Sequence, residues 1–233
     1  VDQVATGGFQ VTTTLDLDYQ EKVSKIVYDE VEKVRALKVG NGSLVALDPK
    51  NGQILAMVGS KDYFDEENSG NFNVAVDGLR QPGSSIKPIT YAVALSRGLT
   101  ASTMIMDVPA SFTGGENGIP YQPVNYDGRF RGPISLREAL GNSINIPAVK
   151  VLKFVGVENV VETTKALGTT TLNDPRRYGL SLTLGGGEVP LLQMVSAFGA
   201  LANGGLKVTP TAILEIKDRQ GNVKEFPFLS VAI

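Results

Sequence analysis

The chain lacks histidine, cysteine and tryptophan altogether. Without His or Cys there is no Ser-His-Asp triad, no thiolate nucleophile, no Cys/His zinc site, no haem ligation and no disulfide framework. Any general base must therefore be Lys, Asp, Glu or Tyr. An excess of charge of one sign is lacking too: 22 Lys and Arg stand against 24 Asp and Glu, which leaves no basic stripe for nucleic acid or anionic lipid. The longest apolar runs, such as Ile89–Leu95, fall far short of the roughly 20 residues a membrane span needs. No basic region precedes an apolar stretch after Val1, so no signal peptide is legible, and because Val1 is not Met the chain is expected to begin inside a longer one. What is present is an ordinary globular composition, 42% hydrophobic and 20% charged over 233 residues, enough for a sizeable core.

Periodicity supplies a coarse map. Val23, Ile26, Val27, Val31 and Val34 recur at helical spacing between Leu15 and Leu37 and predict a surface helix. Ser43–Asp48 and Gln53–Gly59, joined through Asn51-Gly52, predict a hairpin, and Thr211–Asp218 with Asn222–Phe226 predict a second. Asp62–Asn73 reads as an acidic loop. Gln81-Pro82-Gly83 reads as a turn leading into a helix that starts at Ser84 and keeps almost no polar face as far as Arg97. Residues 107–133 read as a long irregular segment, a kind more often functional than idle. Further helices are predicted near Ser135–Leu140, Ile146–Val155, Val157–Leu167 and Pro190–Ala202, with Gly156, Gly168 and Gly204 as stops.

Two constellations carry chemistry. Ser84-Ser85-Ile86-Lys87 is the only Ser-x-x-Lys of the chain, and at that spacing on a helix the two side chains can meet. A lysine on an apolar helix is unusual, and burial depresses its pKa, which makes an amine able to take a proton from a serine hydroxyl. The helix start would also offer N–H groups to an oxyanion. Spacing alone leaves open a plainer arrangement, a serine cap beside a snorkelling lysine. Ser143-Ile144-Asn145 is the second candidate; Ser69-Gly70-Asn71 repeats its pattern in the acidic loop, where a capping role suffices. Leu184-Gly185-Gly186-Gly187-Glu188 has no Walker lysine and reads as a loop. The acidic run from Asp65 carries Val76 where a calcium loop needs Glu, so it reads as a solvated surface.

Read together in order, these segments resemble the transpeptidase domain of class A (bifunctional) penicillin-binding proteins. Gly7–Asp16 is similar to the lead-in of that domain. Phe72-Asn73-Val74-Ala75, followed by Arg80-Gln81-Pro82-Gly83-Ser84-Ser85-Ile86-Lys87-Pro88, resembles its nucleophile segment. Leu136–Leu140 before Ser143-Ile144-Asn145-Ile146-Pro147-Ala148 resembles its second motif, and Leu184–Val189 through Ala202–Gly205 resembles a later structural stretch. The resemblance implies a mixed α/β fold of the penicillin-binding protein and serine β-lactamase type: a mainly antiparallel sheet flanked by helices, plus a helical subdomain carrying Ser143 and Asn145. Residues 1–233 are expected to form one such domain. Ser84 would be the nucleophile and Lys87 the base; Ser143 would relay a proton, and Asn145 would hold the substrate amide and orient Lys87. Substrate contacts would fall to Ser84 and Asn145.

The implied reaction is D,D-transpeptidation of peptidoglycan stem peptides, inhibited by β-lactams, without cofactor, metal or nucleic acid, at the extracytoplasmic face of a bacterial membrane reached only through an N-terminal anchor. Two other readings stay open: a carboxypeptidase or β-lactamase using water, and a non-catalytic binding remnant. Against the β-lactamase, Glu138-x-x-x-Asn142 has that enzyme's spacing but precedes the Ser143 motif. The family's third motif, Lys-Thr-Gly or Lys-Ser-Gly, occurs nowhere in the sequence. Gly168-Thr169-Thr170-Thr171 comes too early in the order, since the third motif follows the second by on the order of a hundred residues. The domain is therefore expected to be C-terminally incomplete, with its last strands missing. Alone it should be weakly active or inactive, and poorly folded, unless a separate chain supplies the Lys-Thr-Gly strand.

Overall fold

The computed structural model describes residues 6–113, 119–225 and 230–232. In chain order, β1 (Gln10–Thr13) leads to α1 (Leu17–Lys33), a hairpin of β2 (Leu44–Leu47) and β3 (Ile54–Val58), and α2 (Lys87–Ser96). Then come β4 (Met104–Asp107), β5 (Gly132–Ser135), α3 (Leu136–Gly141), α4 (Asn145–Val155), α5 (Val157–Leu167) and α6 (Leu191–Ala202). The chain finishes with β6 (Leu206–Val208), β7 (Ile213–Lys217), β8 (Val223–Glu225) and β9 (Ser230–Ala232). It divides into two compact units, one made of residues 1–79 with 190–233, the other of residues 80–189.

The first unit carries most of the strands. All pairings are antiparallel: β1 with β7, β7 with β8, β2 with β3, and β6 with β9. The β2–β3 hairpin turns at Asn51-Gly52 as the dipeptide predicts; Gly52 has φ +76°, and a Cβ there would stand 2.3 Å from the Thr209 carbonyl oxygen. One buried hydroxyl links this hairpin to the three-stranded sheet. Thr14 Oγ donates to the Ile54 carbonyl at 2.6 Å, and the Ile54 N–H donates to the Thr211 carbonyl at 2.9 Å. Helix α1 starts at Leu17, later than expected, because Asp16 accepts the Tyr19 N–H at 3.0 Å and so stands outside as the cap. Its Val23, Val27 and Val31 pack on Ala56 and Val58, whereas Ile26 remains exposed.

The second unit is mainly helical. Helices α2, α4 and α5 pack on one another around Ile86, Ile89, Ile146, Val149, Leu152 and Val160, all fully buried. The unit's first and last residues meet: Arg80 and Val189 exchange backbone hydrogen bonds of 3.2 and 2.9 Å. Val157–Leu167 matches its expected bounds, closed by Gly168 in the left-handed region.

Several expectations are corrected. The sheet is not continuous: among the described residues the strands form one three-stranded and three two-stranded arrays. Strands β1, β6 and β9 carry only three or four residues each, too few for alternation to register, and their partners lie far off in sequence. The segment 107–133 is ordered at both ends, since β4 pairs with β5 from Met104–Ser135 to Asp107–Gly132; residues 114–118 within it lie outside the described residues. So does Phe226, the expected end of the second hairpin, whose strands otherwise pair as predicted.

Leu152 is wholly enclosed, so Leu152→Ala should lower unfolding stability by about 2–5 kcal/mol, read as a reduced urea midpoint at unchanged slope.

Candidate active site

The helix expected from Ser84 starts later. Gly83–Ile86 form a 3₁₀ turn, and α2 begins at Lys87, with Pro88 in its first turn and Ile86 as a cap without a side-chain bond. Ser84 is thus not a helix cap. It is exposed, its carbonyl accepts the Lys87 N–H, and its Oγ makes no hydrogen bond among the described residues. Behind it stands Gly185, at φ +92°, whose Cβ position would lie 2.2 Å from the Gly83 nitrogen and 2.4 Å from its Cα. The glycine run that reads as a loop therefore packs backbone against backbone on the turn that carries Ser84. The 3₁₀ turn Leu180–Leu184 before it is anchored by a buried Thr183–Thr90 hydroxyl pair at 3.0 Å.

Lys87 does not snorkel. It is 1% exposed, and its Nζ donates to the Ser143 carbonyl at 2.6 Å, the Asn145 Oδ1 at 2.7 Å and the Ser143 Oγ at 3.1 Å. All three acceptors are uncharged. Burial pushes the Lys87 ammonium down to about 8, with no carboxylate in contact to restore it. Lys61 in the first unit is the contrast: paired with Glu32 at 2.8 Å and Asp65 at 3.8 Å, it is held above the usual lysine range by its hydrogen bond to Glu32. Ser69-Gly70-Asn71, the other Ser-x-Asn, belongs to that unit.

Ser143 sits between α3 and α4 in the left-handed region, φ +53°, a conformation that costs a non-glycine residue about 1 kcal/mol or more. The cost has a visible return, because it turns both oxygens of Ser143 onto Lys87. Asn145 opens α4, and its Nδ2 donates to the Val124 carbonyl at 2.9 Å, which commits its Oδ1 to Lys87. Lys87, Ser143 and Asn145 are therefore brought into direct contact, and Ser84 stands exposed one turn ahead of Lys87; all four belong to the helical unit.

Glu138 is engaged elsewhere. It forms a capping box with Ser135, whose N–H donates to its carboxylate at 3.0 Å and holds its pKa below the usual range. Among the described residues no three Asp or Glu side chains cluster as a metal site would require, and no helix is long and apolar enough to cross a membrane. Sequence reasoning missed Gly185, Val124, Asn125 and Asp107. The sequence carried a trace of the last three, because residues 107–133 read as a functional irregular segment.

The chain that builds this arrangement, an exposed serine one turn ahead of a buried lysine held by a Ser-x-Asn segment, has relatives among known proteins. The family described as penicillin binding protein transpeptidase domain matches residues 42–231. The chain belongs to that family. Penicillin-binding protein 1A of Neisseria meningitidis is 41% identical over 184 residues, covering 78% of this chain and 22% of that protein. Penicillin-binding protein 2D of Bacillus subtilis is 35% identical over 223 residues, covering 95% of this chain and 31% of that protein. The chain thus spans between a fifth and a third of these relatives. Among solved structures, penicillin-binding protein 1A of Haemophilus influenzae superposes with a TM-score of 0.71 at 34% identity, over 82% of this chain and 28% of that one. Penicillin-binding protein A of Mycobacterium tuberculosis, solved as its imipenem acyl-enzyme, reaches 0.81 over 97% of this chain and 59% of that one; at 22% identity it shows the shared fold. The mixed α/β architecture is that of the penicillin-binding proteins, as the resemblance implied.

Two measurements test the site's construction. Lys87 titrates near 8 when folded and near 10.5 when unfolded, so below pH 8 the fold bears the cost of an enclosed ammonium. That cost is relieved as pH rises from 8 towards 10.5, so the urea midpoint of the native chain should rise relative to Lys87→Met across that window, and a flat difference would contradict the enclosed amine. Gly185→Ala should lower stability by about 2 kcal/mol or more, because backbone must move, whereas Gly141→Ala, in open space on α3, should hold or gain.

Proposed function

We propose that residues 1–233 form a penicillin-sensitive peptidoglycan D,D-transpeptidase domain, working at the extracytoplasmic face of a bacterial membrane. The observation that carries this reading is the enclosed Lys87 amine between an exposed serine and a Ser-x-Asn segment. With a pKa of about 8, about one Lys87 in ten is neutral at pH 7, against about one in three thousand for an ordinary lysine. The neutral amine takes the proton of Ser84 Oγ as that oxygen attacks the carbonyl between the two terminal D-alanines of a stem peptide. The C–N bond breaks, the proton returns through Ser143 Oγ to the leaving D-alanine amine, and the donor peptide is left as an ester on Ser84. An amine of a neighbouring stem peptide then attacks that ester, forms the cross-link and frees Ser84. Asn145 holds the substrate amide while its Oδ1 orients Lys87. A β-lactam entering the same path acylates Ser84 and stays.

Support comes from the family match, from the identity to penicillin-binding proteins 1A and from the uncharged cage around Lys87. The capping role of Glu138 weighs against a hydrolase that uses it as a base. No cofactor or metal enters the scheme. The Lys-Thr-Gly strand, absent from these 233 residues, would come from beyond them or from a separate chain.

Fluorescent penicillin applied to the natural polypeptide carrying these residues should leave a persistent label. The label should be lost in Ser84→Ala, and its rate of formation should climb as pH passes about 8, where Lys87 becomes neutral. Rapid release of the label would indicate a hydrolase, and a folded protein without label would leave the binding module. Label surviving in Ser84→Ala would sink the nucleophile assignment.

A further inference from the structure

Helix α4 begins without a cap of its own: Ile144 occupies the cap position and has no side-chain oxygen. The orphan N–H groups at such a helix start need acceptors, above all where the start is buried. They find one twenty residues upstream. Asn125 Oδ1 accepts the N–H of Asn145 at 3.1 Å and the N–H of Ile146 at 3.2 Å. Asn125 is 4% exposed, and its own amide is fixed from the other side, Nδ2 donating to Asp107 Oδ1 at 2.8 Å and to the Arg129 carbonyl at 2.7 Å. Asp107 is fully buried, and its Oδ2 accepts the Arg131 N–H at 3.0 Å with the Arg131 guanidinium 3.6 Å away. With the Val124 carbonyl on Asn145 Nδ2, two consecutive loop residues grip Asn145 by backbone and by side chain.

We propose that Asp107 and Asn125 are positioning residues of the active site: a buried carboxylate and amide that lend α4 its missing cap and thereby hold the Asn145 carbonyl oxygen on Lys87. This rests on the transpeptidase reading for its catalytic meaning only. Polarity forces the orientation. An Asn125 amide turned end for end would aim its NH₂ at two N–H donors and its oxygen at a carboxylate and a carbonyl, leaving several buried groups unpaired. The carboxylate of Asp107 therefore decides which end of Asn125 faces α4. Loss of either residue frees the first turn of α4, loosens Asn145 and admits water beside Lys87, and a better-solvated amine is harder to deprotonate. Other charged groups on the elements packed against α2 are engaged away from Lys87 or lie outside the buried cluster. Glu138 binds Ser135, Lys150 binds the Met106 carbonyl and Lys153 stands over the Phe112 ring. Arg137, Glu158, Glu162 and Lys165 are exposed, and the only other titratable group buried on α2 is Tyr91.

The test is the titration of Lys87, followed by NMR of its side-chain carbon in Asn125→Ala, beside the rate of penicillin acylation. The titration should move up by about one pH unit towards the ordinary lysine value, and acylation at pH 7 should fall roughly ten-fold, with the pH–rate curve displaced in the same direction. The exchanged pair Asp107→Asn with Asn125→Asp restores an acceptor for α4, the Asx–Asx bond and an acceptor for the Arg131 N–H but not the donor to the Arg129 carbonyl, and should recover part of both effects. In the unsubstituted chain the Asn145 and Ile146 amides should resist hydrogen exchange, unlike the first amides of an uncapped helix. An unchanged Lys87 titration in folded Asn125→Ala, no recovery in the exchanged pair, or fast exchange of both amides overturns the proposal. The titration and the exchange need no acyl transfer, so a protein that takes up no penicillin defeats the transpeptidase reading and leaves the positioning claim to be judged on those two measurements.

Discussion

The enclosure of one amine among uncharged oxygens is the constraint from which the helical unit is organised. A lysine side chain is long enough to reach water from almost any position, and Lys87 is prevented from doing so by helices on several sides. Once enclosed, its ammonium has no counter-charge, only the dipoles of Ser143 and Asn145. Had the cage contained a carboxylate, the amine would be a permanent cation, as Lys61 is beside Glu32. The neutral cage leaves it between states, which is the condition a proton shuttle requires.

Other features follow from supplying those dipoles. Ser143 takes a backbone conformation it would otherwise avoid, so that carbonyl and hydroxyl both face the amine. Asn145 is fixed at a helix start whose cap is borrowed from a distant loop, and the loop is braced in turn by a buried carboxylate. The turn that carries Ser84 rests on bare backbone at Gly185. Rigidity here is built from hydrogen bonds whose polarity permits one arrangement, more than from hydrophobic packing.

What could be read from the sequence divides along lines of locality. Helix α5, the two hairpins and the meeting of Lys87 with Ser143 and Asn145 were legible, because periodicity, glycine-bearing turns and a family resemblance report on short stretches. Strands β1, β6 and β9 were not, since three or four residues paired with a remote partner leave no periodic trace. The roles of Asn125 and Asp107 were not legible for a related reason: Asn and Asp in a Gly-Pro-rich stretch read as turn formers, and only the fold reveals that Asn125 caps another helix and Asp107 braces it. The start of α2 slipped by three residues because Gly83–Ile86 winds as a 3₁₀ turn, which periodicity does not distinguish from a helix.

The pairing of Arg80 with Val189 has a consequence for how such a chain can be built. A 110-residue segment whose two ends are already hydrogen-bonded to each other behaves, as seen by its host, like a loop of almost no span. Its interior can lengthen, shorten or exchange sequence without pulling on the segments that precede and follow it. The cluster of Lys87, Ser143 and Asn145 is thereby housed in an insert whose sequence can change while its two ends stay joined.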